Sequence, residues 1–139
     1  MSHRKDAEAQ SIDRDFLNRT SSLIIEKAIV VHSKLGPGVL ETVYHRCLAH
    51  ELRAAGQTVV EEVMVPVVYD GLQLDQGYRL DMLVNDSVIV EIKTVERLLP
   101  VHHAQLLSYL KLMDKRLGLL LNFKVPYLAQ GIKRIVNNF

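Results

Sequence analysis

Tryptophan is absent from this chain, and aromatic residues of every kind make up only 6% of it. A sugar-binding cleft built on aromatic platforms is therefore disfavoured, and with it a two-carboxylate glycoside hydrolase. Cysteine occurs once, as Cys47, which rules out an internal disulfide framework and suggests a reducing, cytoplasmic setting. Mid-helix beside Leu48, it reads as a core residue rather than a reactive thiol. No apolar run approaches the roughly 18 residues of a membrane span, and the N-terminal stretch lacks the apolar core of a signal peptide. Internal repeats and low-complexity segments are also missing. So is an excess of either charge: the net of +1 argues neither for nor against a polyanionic partner.

What is present is ordinary in bulk and specific in detail. An apolar fraction of 48% with 24% charged residues fits a globular protein, and 139 residues suffice for one domain with one substantial core. Residues 1–13 are polar and aperiodic and are expected to form a mobile tail, leaving 14–139 as a single domain. From Arg97 onward the cations Lys111, Lys115, Arg116, Lys124, Lys133 and Arg134 face one acid, Asp114. Such a basic third can follow a phosphate backbone or merely solvate a surface.

The periodicity predicts a helix from near Asp15 to Lys34, with Leu17, Leu23, Ile24, Ala28, Val31 and Leu35 at three- and four-residue spacing. Gly36-Pro37-Gly38 stops it. A second helix, Leu40 to Ala55, carries Glu41, Tyr44, His45 and Leu48 on one face. Glu41 lies in its first turn, where the helix dipole favours a negative charge. A valine-rich strand follows from Thr58 to Tyr69, with Pro66 marking a bulge or an edge. Asp70-Gly71 then signals a hairpin turn. A helix over Val101–Asp114 buries Leu106, Leu107, Leu110 and Met113, and His102, Gln105 and Tyr109 share another face. His102 and His103 read as surface or capping residues. Leu117–Phe123 is a strand covered on both sides, Lys124–Gly131 a loop, and Ile132–Val136 a short closing element. The order implies an α/β sandwich on a mixed sheet flanked by helices.

The chemistry gathers on two strands. Val88-Ile89-Val90-Glu91-Ile92-Lys93-Thr94 puts an acid and an amine on one face of an otherwise apolar strand, a costly thing to bury without a partner. The strand before it, Tyr78 to Val84, alternates Leu80, Met82 and Val84 against Arg79, Asp81 and Leu83. A three-residue loop, Asn85-Asp86-Ser87, pairs Val84 with Val88, Met82 with Val90 and Leu80 with Ile92, which makes one continuous apolar face. That register sets Asp81 across from Glu91 and Arg79 across from Lys93. Paired carboxylates repel unless a cation lies between them, so the pattern points to a metal site. A cross-strand salt bridge from Lys93 to Asp81 or Glu91 is the reading without a metal.

Asp81, followed after nine residues by Glu91-Ile92-Lys93, resembles the D-x(n)-[DE]-x-K signature of the PD-(D/E)XK nuclease superfamily. The element order is similar to the αβββαβ core of that restriction-endonuclease-like fold. Gly38-Val39-Leu40-Glu41-Thr42-Val43-Tyr44, with Leu35-Gly36-Pro37 before it and Leu98-Leu99-Pro100-Val101-His102 further on, resembles the GxxExxY proteins assigned to that superfamily. The likeness spans about residues 21 to 137. Leu80 stands where the signature's proline would be. The resemblance implies a divalent cation, Mg²⁺ or Mn²⁺, on Asp81, Glu91 and the Ile92 carbonyl, with Glu41 completing the shell. It implies Lys93 orienting the attacking water, and Gln105 and Tyr109 as the Q-x-x-x-Y element of RecB-like members. The implied function is hydrolysis of nucleic acid, DNA ahead of RNA, with no membrane association. Because the chain is small, substrate clamping would fall to a homodimer or a partner. A non-catalytic module that keeps the fold and binds nucleic acid or protein is the alternative.

Overall fold

The computed structural model describes residues 3–74 and 77–139, the side chains of residues 3–12 excepted. The elements are helix α1 (His3–Leu35), helix α2 (Glu41–Ala54), strands β1 (Val59–Met64), β2 (Val67–Tyr69), β3 (Leu72–Leu74), β4 (Arg79–Val84) and β5 (Val88–Lys93), helix α3 (Pro100–Met113), and strands β6 (Leu117–Asn122) and β7 (Ile132–Val136). A mixed sheet of order β1-β4-β5-β6-β7 carries α1 and α2 on one face and α3 on the other. Among the described residues only β5 and β6 pair in parallel, joined through α3. This is the expected α/β class. No helix among the described residues is long and apolar enough to cross a membrane.

Two apolar layers hold the sheet. Ile24, Ala28, Tyr44, Leu48 and Leu52 cover Met82, Val84, Val90, Leu119 and Leu121 on one face. Leu106 and Leu110 cover Leu83, Ile89 and Leu120 on the other. Strand β6 feeds both layers by simple alternation, so all of its residues are buried. That accounts for the unbroken apolar run read from Leu117 to Phe123.

Three expectations need correction. The first helix begins at His3 rather than near Asp15, so the segment read as a tail is helical from there. Its polar residues give no burial pattern, but His3–Asp13 holds neither glycine nor proline, and alanine, glutamate and glutamine propagate a helix readily. The long strand from Thr58 to Tyr69 is two, β1 and β2, because Pro66 cannot supply a ladder donor. Beyond it, β2 and β3 form a separate ribbon around Asp70 and Gly71, both at positive φ as a primed hairpin turn requires. The β4–β5 register is as expected for Val84↔Val88 and Met82↔Val90, but the ladder stops there and Leu80 does not pair with Ile92. Leu80 is buried instead with the α3-side layer, so side-chain alternation along β4 breaks at Asp81.

The basic C-terminal third is not one surface. Lys115 is held by Asp86, Arg116 by Asp13 and the Phe139 carbonyl, Lys124 by Glu96, and Arg134 by Asn18. Cys47 is half-buried and packs against the α1–α2 layer as a free thiol.

Candidate metal centre

The break in β4 builds the site. Backbone N–H and C=O groups of alternate strand residues point to the same neighbour, so Val88, Val90 and Ile92 all aim at β4. Val88 and Val90 find partners in Val84 and Met82. Ile92 does not reach Leu80; its N–H donates to Asp81 Oδ2 at 2.6 Å. A carboxylate thus stands in for a ladder carbonyl, and the Ile92 carbonyl is left aimed at the same opening. Glu91, one residue back, is 5% exposed and lies within reach of the Asp81 carboxyl, while its Oε1 is buried without a partner.

The electrostatics follow from that crowding. Burial, and then the charge and hydrogen bond of Asp81, push the Glu91 carboxyl far above the usual range, against the pull of Lys93. The two carboxyls thus lie close enough for each to feel the other's charge, and burial beside Asp81 favours the protonated form of Glu91. Glu41 is raised by partial burial and by Asp81, and drawn down by Lys93 and His45. It therefore lies within the field of the pair. Among the described residues, however, no three His, Cys, Asp or Glu side chains stand close enough together to hold an ion. Asp81 and Glu91 are brought together; Glu41 is near them but outside the pair.

Glu41 owes its place to Tyr44. The fully buried Tyr44 ring stacks on Phe123 at 4.4 Å between centroids. Its hydroxyl donates to the Gly36 carbonyl and accepts from Val39 N–H at 3.1 Å. The Gly36-Pro37-Gly38 turn is thereby tied to the helix it precedes, and Glu41 in the first turn of α2 is held toward the β4–β5 opening. The tyrosine of the G-x-x-E-x-x-Y stretch therefore serves the backbone, through Gly36 and Val39.

From the other face comes α3. Pro100 opens it, and His102 Nδ1 accepts Leu99 N–H at 2.9 Å, a capping role as read from the sequence. Tyr109 is buried, and its hydroxyl is pushed up to about 12 by burial, then by Glu91, Tyr78 and Asp81. It stays protonated beside the acids. Gln105, one turn earlier, is half-buried. Two residues near the site carried no sequence signal. Tyr78 leans its ring on Tyr109 at 5.8 Å. His45 sits with Nε2 3.0 Å from Glu61 Oε1, yet lacks an aligned hydrogen bond. Both were legible only as members of a face or a strand end.

The donor set suits a hard divalent cation. Magnesium is commonly bound through one or two carboxylates together with waters and substrate phosphate, and the orphaned Glu91 Oε1 is an acceptor in want of a partner. A family model described as the PD-(D/E)XK nuclease superfamily matches residues 18–135. No curated protein and no solved structure matches the chain.

Proposed function

The chain belongs to the PD-(D/E)XK nuclease superfamily, and from that premise we propose that it hydrolyses the phosphodiester bonds of nucleic acid, DNA in the first instance, with Mg²⁺ or Mn²⁺. The observation that carries this reading is the carboxyl pair of Asp81 and Glu91 at the open end of β4 and β5, with one buried oxygen unpartnered. Asp81, Glu91 and the Ile92 carbonyl would hold the cation, and Glu41 would reach it through water. A bound divalent ion makes its water more acidic and neutralises charge on the phosphodiester.

The side chains divide the remaining work. Lys93 shares the electrostatic field of Glu41 and Glu91, and its compact ammonium suits orienting a water and offsetting charge that develops on the phosphate. Burial beside Asp81 favours a proton on Glu91, which must leave before that carboxyl can serve as a ligand. Tyr109 keeps its proton and can donate a hydrogen bond into the site, with Gln105 beside it. Likeness to the GxxExxY proteins supports the role given to Glu41. The small domain supports a homodimer or a partner as the substrate clamp, and the single cysteine supports a cytoplasmic setting.

The test is cleavage of single- and double-stranded DNA and RNA with Mg²⁺ or Mn²⁺. Asp81→Ala is expected to abolish cleavage while leaving the circular dichroism spectrum intact. Lys93→Ala is expected to bind metal without turnover. Equal cleavage by wild type and Asp81→Ala would remove the assignment. Wild type that binds strands but cleaves none would make the chain a non-catalytic binding module.

A further inference from the structure

The chain has five tyrosines. Tyr44 and Tyr109 are buried, whereas Tyr69, Tyr78 and Tyr127 are 73%, 60% and 73% exposed. The exposed three share one end of the sheet. Tyr78 immediately precedes β4, three residues before Asp81, and touches Tyr109. Tyr69 lies beside the turn of the β2–β3 ribbon, which follows β1 where Met64 pairs with Arg79. Tyr127 is on the loop after β6, and β6 ends where Asn122 pairs with Lys93. That loop is fastened to the segment after Lys93 by Phe123 N–H to the Lys93 carbonyl at 2.9 Å and by Lys124 to Glu96 at 2.8 Å. Exposed Leu40, Leu99 and Val101 stand at the starts of α2 and α3, at the same end.

The cations are arranged otherwise. Lys115 and Arg116 precede β6, whose first residue pairs with Val88, so they lie at the end of β5 away from Lys93. Both are engaged by acids, Asp86 and Asp13. At the site end Lys124 is paired with Glu96 and Arg79 with Glu62, and Lys93 and the exposed Arg97 stand there as well, a short row of cations rather than two. Duplex binders grip two rows of phosphates with lysine and arginine, and a paired duplex keeps its bases stacked on one another. Exposed aromatic rings offer stacking only to bases that are already unpaired.

We propose that the substrate is single-stranded nucleic acid, its bases stacking on Tyr69, Tyr78 and Tyr127 while its backbone crosses the Asp81–Glu91 pair. The assignment rests on the nuclease reading for the location of the reacting phosphate, but the grip itself can be measured without turnover. The full-length protein in EDTA is mixed with a 2-aminopurine-labelled DNA strand, or with the same strand annealed to its complement. The single strand is expected to bind with quenching of the fluorophore, and the duplex at least about tenfold more weakly. Tyr78→Leu and Tyr127→Leu are each expected to weaken single-strand binding about tenfold, the phenylalanine variants to restore binding and quenching, and all four to melt as wild type does. Affinity should fall gently with salt, with a log–log slope no steeper than about −2, as few phosphates are neutralised. Duplex binding as tight as single-strand binding, or leucine variants indistinguishable from wild type, overturns the proposal. Cleavage that proceeds while those variants bind normally overturns the tyrosine grip alone. Absence of binding to either form removes the grip and the nucleic-acid reading together.

Discussion

Glu91 is the residue on which the site turns. Its ordinary value of 4.5 in an unfolded chain rises to about 9 on folding, chiefly through burial and then through Asp81. A carboxyl raised in this way favours the folded state while protonated. The contribution is complete below the unfolded value and is lost as pH climbs toward the folded one. In EDTA the melting temperature is therefore expected to fall between about pH 5 and pH 9, and Glu91→Gln, neutral throughout, to flatten that profile. A wild-type profile already flat over this window would mean that folding does not raise the Glu91 carboxyl. Tyr44 gives a second prediction at this scale. Tyr44→Phe keeps the ring on Phe123 but deletes the hydroxyl that holds Gly36 and Val39. Urea unfolding should register a loss of about 1 kcal/mol. Cleavage should fall as well, because Glu41 loses the turn that aims it.

At the scale of elements, burial is what made the sequence readable. The two-residue period of Val88–Ile92 and Met82–Val84 settles a strand register because one slip would turn every apolar side chain outward. Helix α2 and helix α3 were legible within a residue or two, through Gly36-Pro37-Gly38, Gly56 and Pro100. The end of the β4–β5 ladder was not legible. It depends on a side-chain carboxylate outcompeting a backbone carbonyl for Ile92 N–H, and no pattern of polarity encodes that geometry. The start of α1 was missed for the opposite reason, since propensity alone sets it. Strand β6 offers the check on the double layer. Leu119→Ala opens a cavity beneath α1 and α2 and is expected to cost about 2–5 kcal/mol, measured by urea unfolding.

On the proposed reading, the molecule as a whole couples its stability to a divalent ion. Burial and Asp81 favour a proton on Glu91, and a cation bound by the same oxygens would compete with it. Added Mg²⁺ should raise the melting temperature more at pH 8 than at pH 5, since binding to the folded state stabilises it and protons oppose that binding. Calorimetry in buffers of different ionisation enthalpy should detect proton release on Mg²⁺ binding near pH 7, and heats that do not vary with the buffer would count against the exchange. Charge was the least legible property at this scale. The run of cations after Arg97 looks continuous in sequence, yet folding scatters it and pairs Lys115, Arg116 and Lys124 with acids from remote segments.

Asp81, Glu91 and Lys93 belong to the five-strand sheet, whereas Tyr69, Tyr78 and Tyr127 lie on the ribbon, the lead-in and the loop outside it. The loop is moored to α1 through His32 Nε2 and the Val125 carbonyl at 2.8 Å. Insertions at the ribbon tip or in the 124–131 loop can therefore remodel the rim while the three sheet residues keep their register.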